Sequence, residues 1–378
     1  MRIGYVCCDR GVPVCGGKGS SVHVRSITEA LQERGHHVLL ACARLGAGNP
    51  RPNVARVVEL GADVAAHSTE LAQLFETEVV DVVLERYSLD SGPALMASGS
   101  RGIPMVVEIN APLVHEAARY RGLDNLEEAL ASEQRLFGAA AATLGVSRAM
   151  VAYAGQVAPG TPAYWIPNGA DVERFAAAAD AVAALRPADQ PVVGFVGSMK
   201  PWHGVSDLLD AFETLASELQ GARLVLIGAG PEDHTLGELI RRMGCSDRVE
   251  TPGLLPHGEV ARRTGMFSVG VAPFRPSPDF YFSPLKVFEY MASGIPTVYP
   301  TTGDLPEIVG GTGVGYRPGS VTGLVGALRT VLTDRELRHG LSACARDRRW
   351  HWTWGRTAER VEAVLEATLA RFSGRVAG

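Results

Sequence analysis

Short apolar runs alternate with stretches of helical periodicity along nearly the whole chain. In the first half, residues 3–7, 37–42, 79–84, 105–109 and 143–146 are apolar without alternation, the pattern of parallel strands buried on both faces. Between them, 22–34 and 126–137 carry apolar positions at helical spacing, and Gly35 and Gly138 stand where a helix would stop. The second half repeats the theme at 192–196, 224–227, 249–251, 269–273 and 297–298. Two successive βαβ arrays predict an α/β fold of two doubly wound, Rossmann-like domains. Residues 176–191 are alanine-rich, with two prolines and few large apolar side chains, and predict a helix plus a linker. The expected division is 1–172, a linker at 173–190, 191–354, and a terminal helix at 355–378. Such domains bind ligands beyond the carboxyl ends of their strands, so the two strand edges are expected to face a central cleft.

Composition narrows the class. The chain has 378 residues, 46% hydrophobic and 20% charged, the size of about two ordinary domains. No run reaches the ~18 consecutive apolar residues of a membrane span, so no integral membrane segment is expected. The chain opens directly on its first strand candidate rather than on a secretory leader, which predicts a cytoplasmic protein. Its six cysteines form no Cys-x-x-Cys pair, which argues against a zinc site or a disulfide frame. A net charge of -5 argues against dedicated nucleic-acid binding.

The segment from Ser283 to Pro296 carries the most chemistry. Ser283 and Pro284 are helix-start signals, serine as a cap and proline in the first turn. A helix N-terminus attracts anions, and Lys286 adds a full charge there. Glu289, three residues on, shares the face of Lys286 and can accept bonds from ribose hydroxyls. The competing reading is a capped amphipathic helix with surface charges. A second candidate is the loop Gly11 to Ser21, in which Gly16, Gly17 and Gly19 bring backbone N–H groups close to a ligand. It satisfies neither the P-loop nor the dinucleotide spacing, and a flexible loop is its alternative.

At Gly197, Ser198, Lys200, Pro201, Trp202, His203 and Gly204 the chain resembles the family-4 nucleotide-sugar glycosyltransferases of GT-B fold. Further segments agree in the family's order: Glu108 to Leu113, Trp165 to Asp171 with Phe175, and Ile227 to Glu232. The resemblance runs from Met1 to about Trp354. It implies that the first domain holds the acceptor, that the second binds the donor, and that the last helix crosses back to the first domain. Alternating Trp350, Trp352 and Trp354 would anchor that crossing, with Val361, Val364, Leu365 and Leu369 on one helix face.

The resemblance also assigns roles. Glu289 should bind the donor ribose, while Lys286 and the N–H groups after Ser283, Pro284 and Leu285 should hold the diphosphate. Gly230 and Leu255 join them as donor-binding positions. Many relatives carry an arginine after the glycine matching Gly197 and a lysine near position 203. Here Ser198 and His203 stand there, with Lys200 to supply charge and His203 as a second donor. The family's first glutamate, eight residues before Glu289, is replaced by Tyr281, and Asp279 is the nearby substitute. Lys200, Lys286 and Glu289 are the expected catalytic residues, with Gly16 to Gly19 helping to stabilise the departing diphosphate. No Asp-x-Asp element is present, so no metal and no cofactor beyond the nucleotide-sugar co-substrate is expected. The resemblance implies retention of anomeric configuration.

The acceptor is expected against the first domain, at Lys18, His23, Glu85, Tyr87, Glu108, Asn110 and Glu116. With Asp9 these carboxylates would form an acidic lining suited to a cationic acceptor. The segment from Cys8 to Val24 resembles the branch that contains aminocyclitol glycosyltransferases of aminoglycoside antibiotic pathways. Inositol phosphate, a lipid-linked sugar or another natural product are the alternative acceptors. UDP is expected ahead of GDP or dTDP. A nucleotide-sugar epimerase or a non-catalytic sugar-binding protein is the rival of another class.

Overall fold

The computed structural model describes residues 1–48, 51–120, 122–185, 190–277 and 280–376. By its contacts the chain divides into two compact units, one of Met1–Asn168, Tyr281–Ser283 and Trp354–Gly378, the other of Gly169–Phe280 and Pro284–Thr353.

In the first unit the strands are β1 (Arg2–Cys7), β2 (His37–Cys42), β3 (Arg56–Glu59), β4 (Val82–Arg86), β5 (Met105–Ile109), β6 (Ala142–Gly145) and β7 (Ala163–Trp165). Among the described residues they form one parallel sheet in the order β3-β2-β1-β4-β5-β6-β7. The order reverses between β1 and β4. Helices α1 (Gly19–Glu33), α2 (His67–Thr77), α3 (Gly92–Arg101), α4 (Leu113–Tyr120), α5 (Leu126–Ala139) and α6 (Arg148–Val157) connect the strands. Val6, Leu39, Val83 and Val107 meet Phe75 and Phe137 in a buried core.

Two elements differ from the sequence expectation. The strand predicted at 79–84 begins only at Val82, because Val79 has φ 52 and is 65% exposed, closing the turn after α2. Gly138 does not stop its helix. A Cβ there would meet nothing within 4 Å, so it is an open helical position, and α5 continues to Ala139. Gly35 does end α1, with φ 88 and its N–H on the Gln32 carbonyl.

The second unit contains β8 (Val192–Val196), β9 (Arg223–Ile227), β10 (Val249–Gly253), β11 (Val269–Val271), β12 (Thr297–Pro300) and β13 (Gly313–Tyr316). Among the described residues these form a parallel sheet in the order β10-β9-β8-β11-β12-β13, which reverses between β8 and β11. Its helices are α7 (Val172–Val182), α8 (Val205–Glu218), α9 (Asp233–Arg242), α10 (His257–Gly265), α11 (Leu285–Ala292), α12 (Leu305–Val309), α13 (Val321–Thr333) and α14 (Arg335–Arg348). Aromatic rings pack directly on this sheet at glycines. A Cβ at Gly194 would lie 2.0 Å from Phe267, and one at Gly270 would lie 2.4 Å from Tyr290.

Residues 172–182, mostly within the stretch read as linker, are helix α7, whose buried face is Val172, Phe175, Ala176, Ala179 and Val182. It packs on α10 at Gly265, where a Cβ would come 2.8 Å from the Ala179 Cα. The last helix, α15 (Trp354–Val376), packs on α1 within the first unit, burying Val361, Val364 and Leu365. No helix among the described residues is long and apolar enough to cross a membrane.

Candidate functional site

The second unit concentrates its loops where the sheet order reverses. The loop after β8 begins with Gly197 at φ 152, and a Cβ there would stand 2.8 Å from the Lys286 Nζ. The loop after β9 interlocks with it. A Cβ at Gly228 would fall 1.9 Å from the Gly197 carbonyl oxygen, and one at Gly230 would fall 2.5 Å from that of Met199. The Met199 N–H reaches the Ala229 carbonyl at 3.3 Å, and the Met199 carbonyl accepts from Glu232 at 3.0 Å. Glycine at these positions lets two backbones touch, which fixes both loops around one point.

Lys286 occupies that point. Its residue is 7% exposed, and its amine lies 3.9 Å from the Phe195 ring centroid and 5.0 Å from that of Phe274. The Nζ has no hydrogen-bond partner among the described residues. Burial pulls its pKa down from 10.5 to about 7, against the opposing pull of Glu289. Such an amine is poised to gain a charge when an anion arrives.

The helix start differs in detail from the sequence expectation. Helix α11 begins at Leu285, Pro284 stands just before it at the cap position, and among the described residues no side chain caps it. Ser283 does not serve as the cap because its hydroxyl accepts the Asn168 N–H at 3.0 Å. The Asn168 side-chain amide donates to the Ser283 carbonyl at 2.6 Å. Among the described residues the first turn of α11 therefore carries no competing side-chain acceptor at its N-terminus.

His203 is not a second cation. Its Nδ1 faces the Ser198 carbonyl, and its ring lies among Phe195, Trp202 and Phe274. Burial, then the neighbouring Lys286, lowers its pKa to about 2, with Lys200 adding to the effect, so the ring is neutral. Lys200 is half-buried, its Nζ 4.8 Å from the Trp202 ring centroid. Ser198 Oγ stands 3.4 Å from His203 Nδ1. Leu255 packs against the small cluster of Val192, Val225 and Ile227. Asp279 lies outside the described residues.

Glu289 is 7% exposed on the same helix as Lys286, and its Oε1 receives His257 Nε2 at 2.8 Å. Sequence reading passed over His257. It stands 32 residues away, and no local spacing connects it to Glu289.

In the first unit, Gly16 is held tightly and Gly17 is not. A Cβ at Gly16 would lie 2.8 Å from Ser21 Oγ, while one at Gly17 would meet nothing within 4 Å. Arg25, also missed, pins the loop by donating to the carbonyls of Val14 and Gly16. Gly17, Lys18 and Gly19 are exposed at the start of α1, where no side chain caps and no acid sits in the first turn.

Most of the expected acidic lining is engaged within the unit. Glu108 is surrounded by Tyr5, His23, Arg86 and Asn110. Burial alone would raise its pKa, but His23, Arg86 and Asn110 together bring it down to about 2. His23 Nδ1 continues the network to Asn168 Oδ1 at 2.8 Å, and its ring meets Trp354 edge-on at 5.4 Å. Tyr87 donates to buried Glu133 at 2.6 Å, and Tyr153 donates to its other oxygen at 2.6 Å. Glu116 accepts from the Tyr281 hydroxyl. Glu85 is fully buried, and burial raises its pKa well above the usual carboxylate range. Asp9 accepts the Gly11 N–H at 2.7 Å. An electrostatic lining of free carboxylates is therefore not what these residues form. Among the described residues no group of three or more His, Cys, Asp or Glu side chains is arranged to hold a metal ion.

Comparison with known proteins places these two units. A family model described as Glycosyltransferase Family 4 matches residues 17–174, and one described as Glycosyl transferases group 1 matches residues 190–334. The chain is similar to a GDP-mannose-dependent alpha-(1-6)-phosphatidylinositol monomannoside mannosyltransferase of Mycobacterium tuberculosis, 26% identical over 225 residues, 56% of this chain and 58% of that protein. It is 32% identical over 171 residues to the sulfoquinovosyl transferase SQD2 of Arabidopsis thaliana, covering 44% of this chain and 31% of that one. The chain thus spans little more than half of the first relative's length and under a third of the second's. Among solved structures, sucrose-phosphate synthase from Thermosynechococcus elongatus superposes with a TM-score of 0.82 at 20% identity, over 98% of this chain and 100% of that one. Anabaena HepE in complex with UDP-glucose gives 0.76 at 18% identity, over 97% and 100%. The fold is GT-B, two Rossmann-like units with parallel sheets.

Proposed function

We propose that this chain, which carries a glycosyltransferase family 4 domain and a glycosyl transferases group 1 domain, moves a hexose or aminohexose from a nucleoside diphosphate sugar to a hydroxyl of a small polar acceptor. The reading includes retention of anomeric configuration and independence of a divalent metal. The observation that carries it is the buried Lys286 amine, without a hydrogen-bond partner among the described residues, beside the first turn of α11, which no described side chain caps, at the reversal point of the second sheet. Charge develops on the diphosphate as its bond to the anomeric carbon breaks, and a preformed amine and helix amides in a dry pocket stabilise it.

In this reading the acceptor oxygen attacks the face that the leaving group vacates. Its proton passes to a phosphate oxygen of the donor, and the nucleoside diphosphate departs. Lys286 and Lys200 hold the phosphates, and Glu289 holds the ribose. UDP is the first nucleotide to test, in keeping with the UDP-glucose in HepE, and the GDP-mannose in the mannosyltransferase's name makes GDP the second. An aminocyclitol is the proposed acceptor class. The engagement of Glu108 and Glu116 in internal bonds weakens the electrostatic case for it, and a phosphatidylinositol-type or other lipid-linked acceptor is the second reading.

The test is incubation of UDP-glucose, UDP-N-acetylglucosamine and GDP-mannose with an aminocyclitol or with a lipid extract, in chelator, followed by NMR of the product. A new α-glycoside from an α-linked donor supports the proposal. Transfer to lipid alone overturns the aminocyclitol, and conversion of the donor into a different nucleotide sugar without acceptor identifies an epimerase.

A further inference from the structure

We propose that His257 is a positioning residue for nucleoside recognition, fixing one oxygen of Glu289 so that the other is presented to a ribose. The inference rests on the donor-site reading above. His257 opens α10, and its Nε2 lies 2.8 Å from Glu289 Oε1. The opposite ring nitrogen, Nδ1, faces Arg174 Nη1 at 3.3 Å. A guanidinium can only donate, so Nδ1 is the acceptor and Nε2 carries the hydrogen given to Glu289. Arg174 is itself held, its backbone N–H on Asp171 Oδ1 at 3.1 Å and its Nε 3.0 Å from Asp171 Oδ2. The Phe175 ring meets the imidazole at 5.3 Å and fixes its plane.

The relay thus runs from Asp171 through Arg174 and His257 to Glu289, across three helices of the second unit. Among the described residues Glu289 Oε2 accepts no hydrogen bond, which leaves that oxygen to take a ligand hydroxyl. The close approach of α7 and α10 at Gly265 sets the spacing of the relay, because a side chain there would push the helices apart. Without His257 the carboxylate loses its fixed rotamer, and the ribose contact weakens while the diphosphate contacts persist.

The experiment is calorimetric titration of the full chain with UDP, GDP and ADP, and separately with pyrophosphate, which has no ribose. The proteins are wild type, His257→Ala, His257→Gln, Glu289→Ala and the His257→Ala/Glu289→Ala double variant, each checked by its melting temperature. For the tightest nucleotide, His257→Ala is expected to weaken binding about tenfold and pyrophosphate binding by less than about twofold. Gln, whose amide can donate from the place of Nε2, restores most of the loss. In the Glu289→Ala background the His257 change has no further effect. If His257→Ala leaves nucleotide affinity unchanged, or weakens pyrophosphate equally, while Glu289→Ala weakens the nucleotide, the positioning role falls and the donor site stands. If Glu289→Ala itself has no effect, or no nucleotide binds, the donor-site reading fails and takes this proposal with it.

Discussion

Lys286 is a buried amine whose pKa has been pulled down from 10.5 to about 7 by the removal of water. A diphosphate beside it reverses that cost, so binding at pH 8 should draw a proton from solution, and binding at pH 5.5 should draw none through this group. Titration at pH 8 in two buffers of different ionisation enthalpy measures the uptake directly. Because the folded pKa lies below the unfolded one, the free protein carries a penalty below pH 7 that is relieved as pH rises from about 7 to 10.5. Replacing Lys286 with Met should raise the stability of the free protein by about 2 kcal/mol and abolish nucleotide binding, as read by urea unfolding and calorimetry. Glu108 has the opposite sign. Its depressed pKa makes it a stabilising carboxylate above about 4.5, an effect lost as pH falls toward about 2. Glu108→Ala should cost about 3 kcal/mol because His23 and Arg86 lose their counter-ion. That Lys286 and Glu289 sit together on one buried helix was legible because a spacing of three within an apolar run is a local signal. The engagement of Glu108, Tyr87 and Glu116 was not, because their partners His23, Glu133 and Tyr281 are distant in sequence.

The elements that place these side chains depend on a few glycines where backbones touch. Gly230→Ala would set a Cβ 2.5 Å from the Met199 carbonyl oxygen and part the loops after β8 and β9. It should weaken nucleotide binding at least about tenfold with a melting shift of only a few degrees, since the strain falls on loops. Gly17→Ala, with open space around it, should leave the fold intact, whereas Gly16→Ala should disturb the loop that Arg25 pins. Thermal unfolding of the two variants separates these expectations. Central strands were readable as apolar runs because both faces of a parallel sheet are covered. Strands β3, β7 and β13 were not, for they are three or four residues long and either half-exposed or glycine-rich. Helix α7 falls where a helix plus a linker is expected but begins earlier, at Val172; its alanines carry little hydrophobic signal, although small side chains are what let α10 approach so closely.

Over the whole molecule, the two reversal points mark where each unit can bind a ligand; the repeated strand and helix alternation disclosed two doubly wound units but not which strands flank each reversal. The chain's order is not the order of its units. Residues Tyr281–Ser283 and the final helix belong by contact to the first unit, although long stretches of the second precede them. Alternation alone could not disclose this, since it records neighbours along the chain and not the side-chain bonds, such as Asn168 to Ser283, that assign a short segment to a unit. Whether the second unit takes a nucleoside diphosphate through Lys286 and Glu289 is read by titrating UDP, GDP and dTDP calorimetrically, without metal, into wild type and Glu289→Ala. One nucleotide is expected to bind the wild type, and the variant to lose about tenfold or more in affinity. Binding of none, or equal binding by both proteins, would contradict a donor site at these residues.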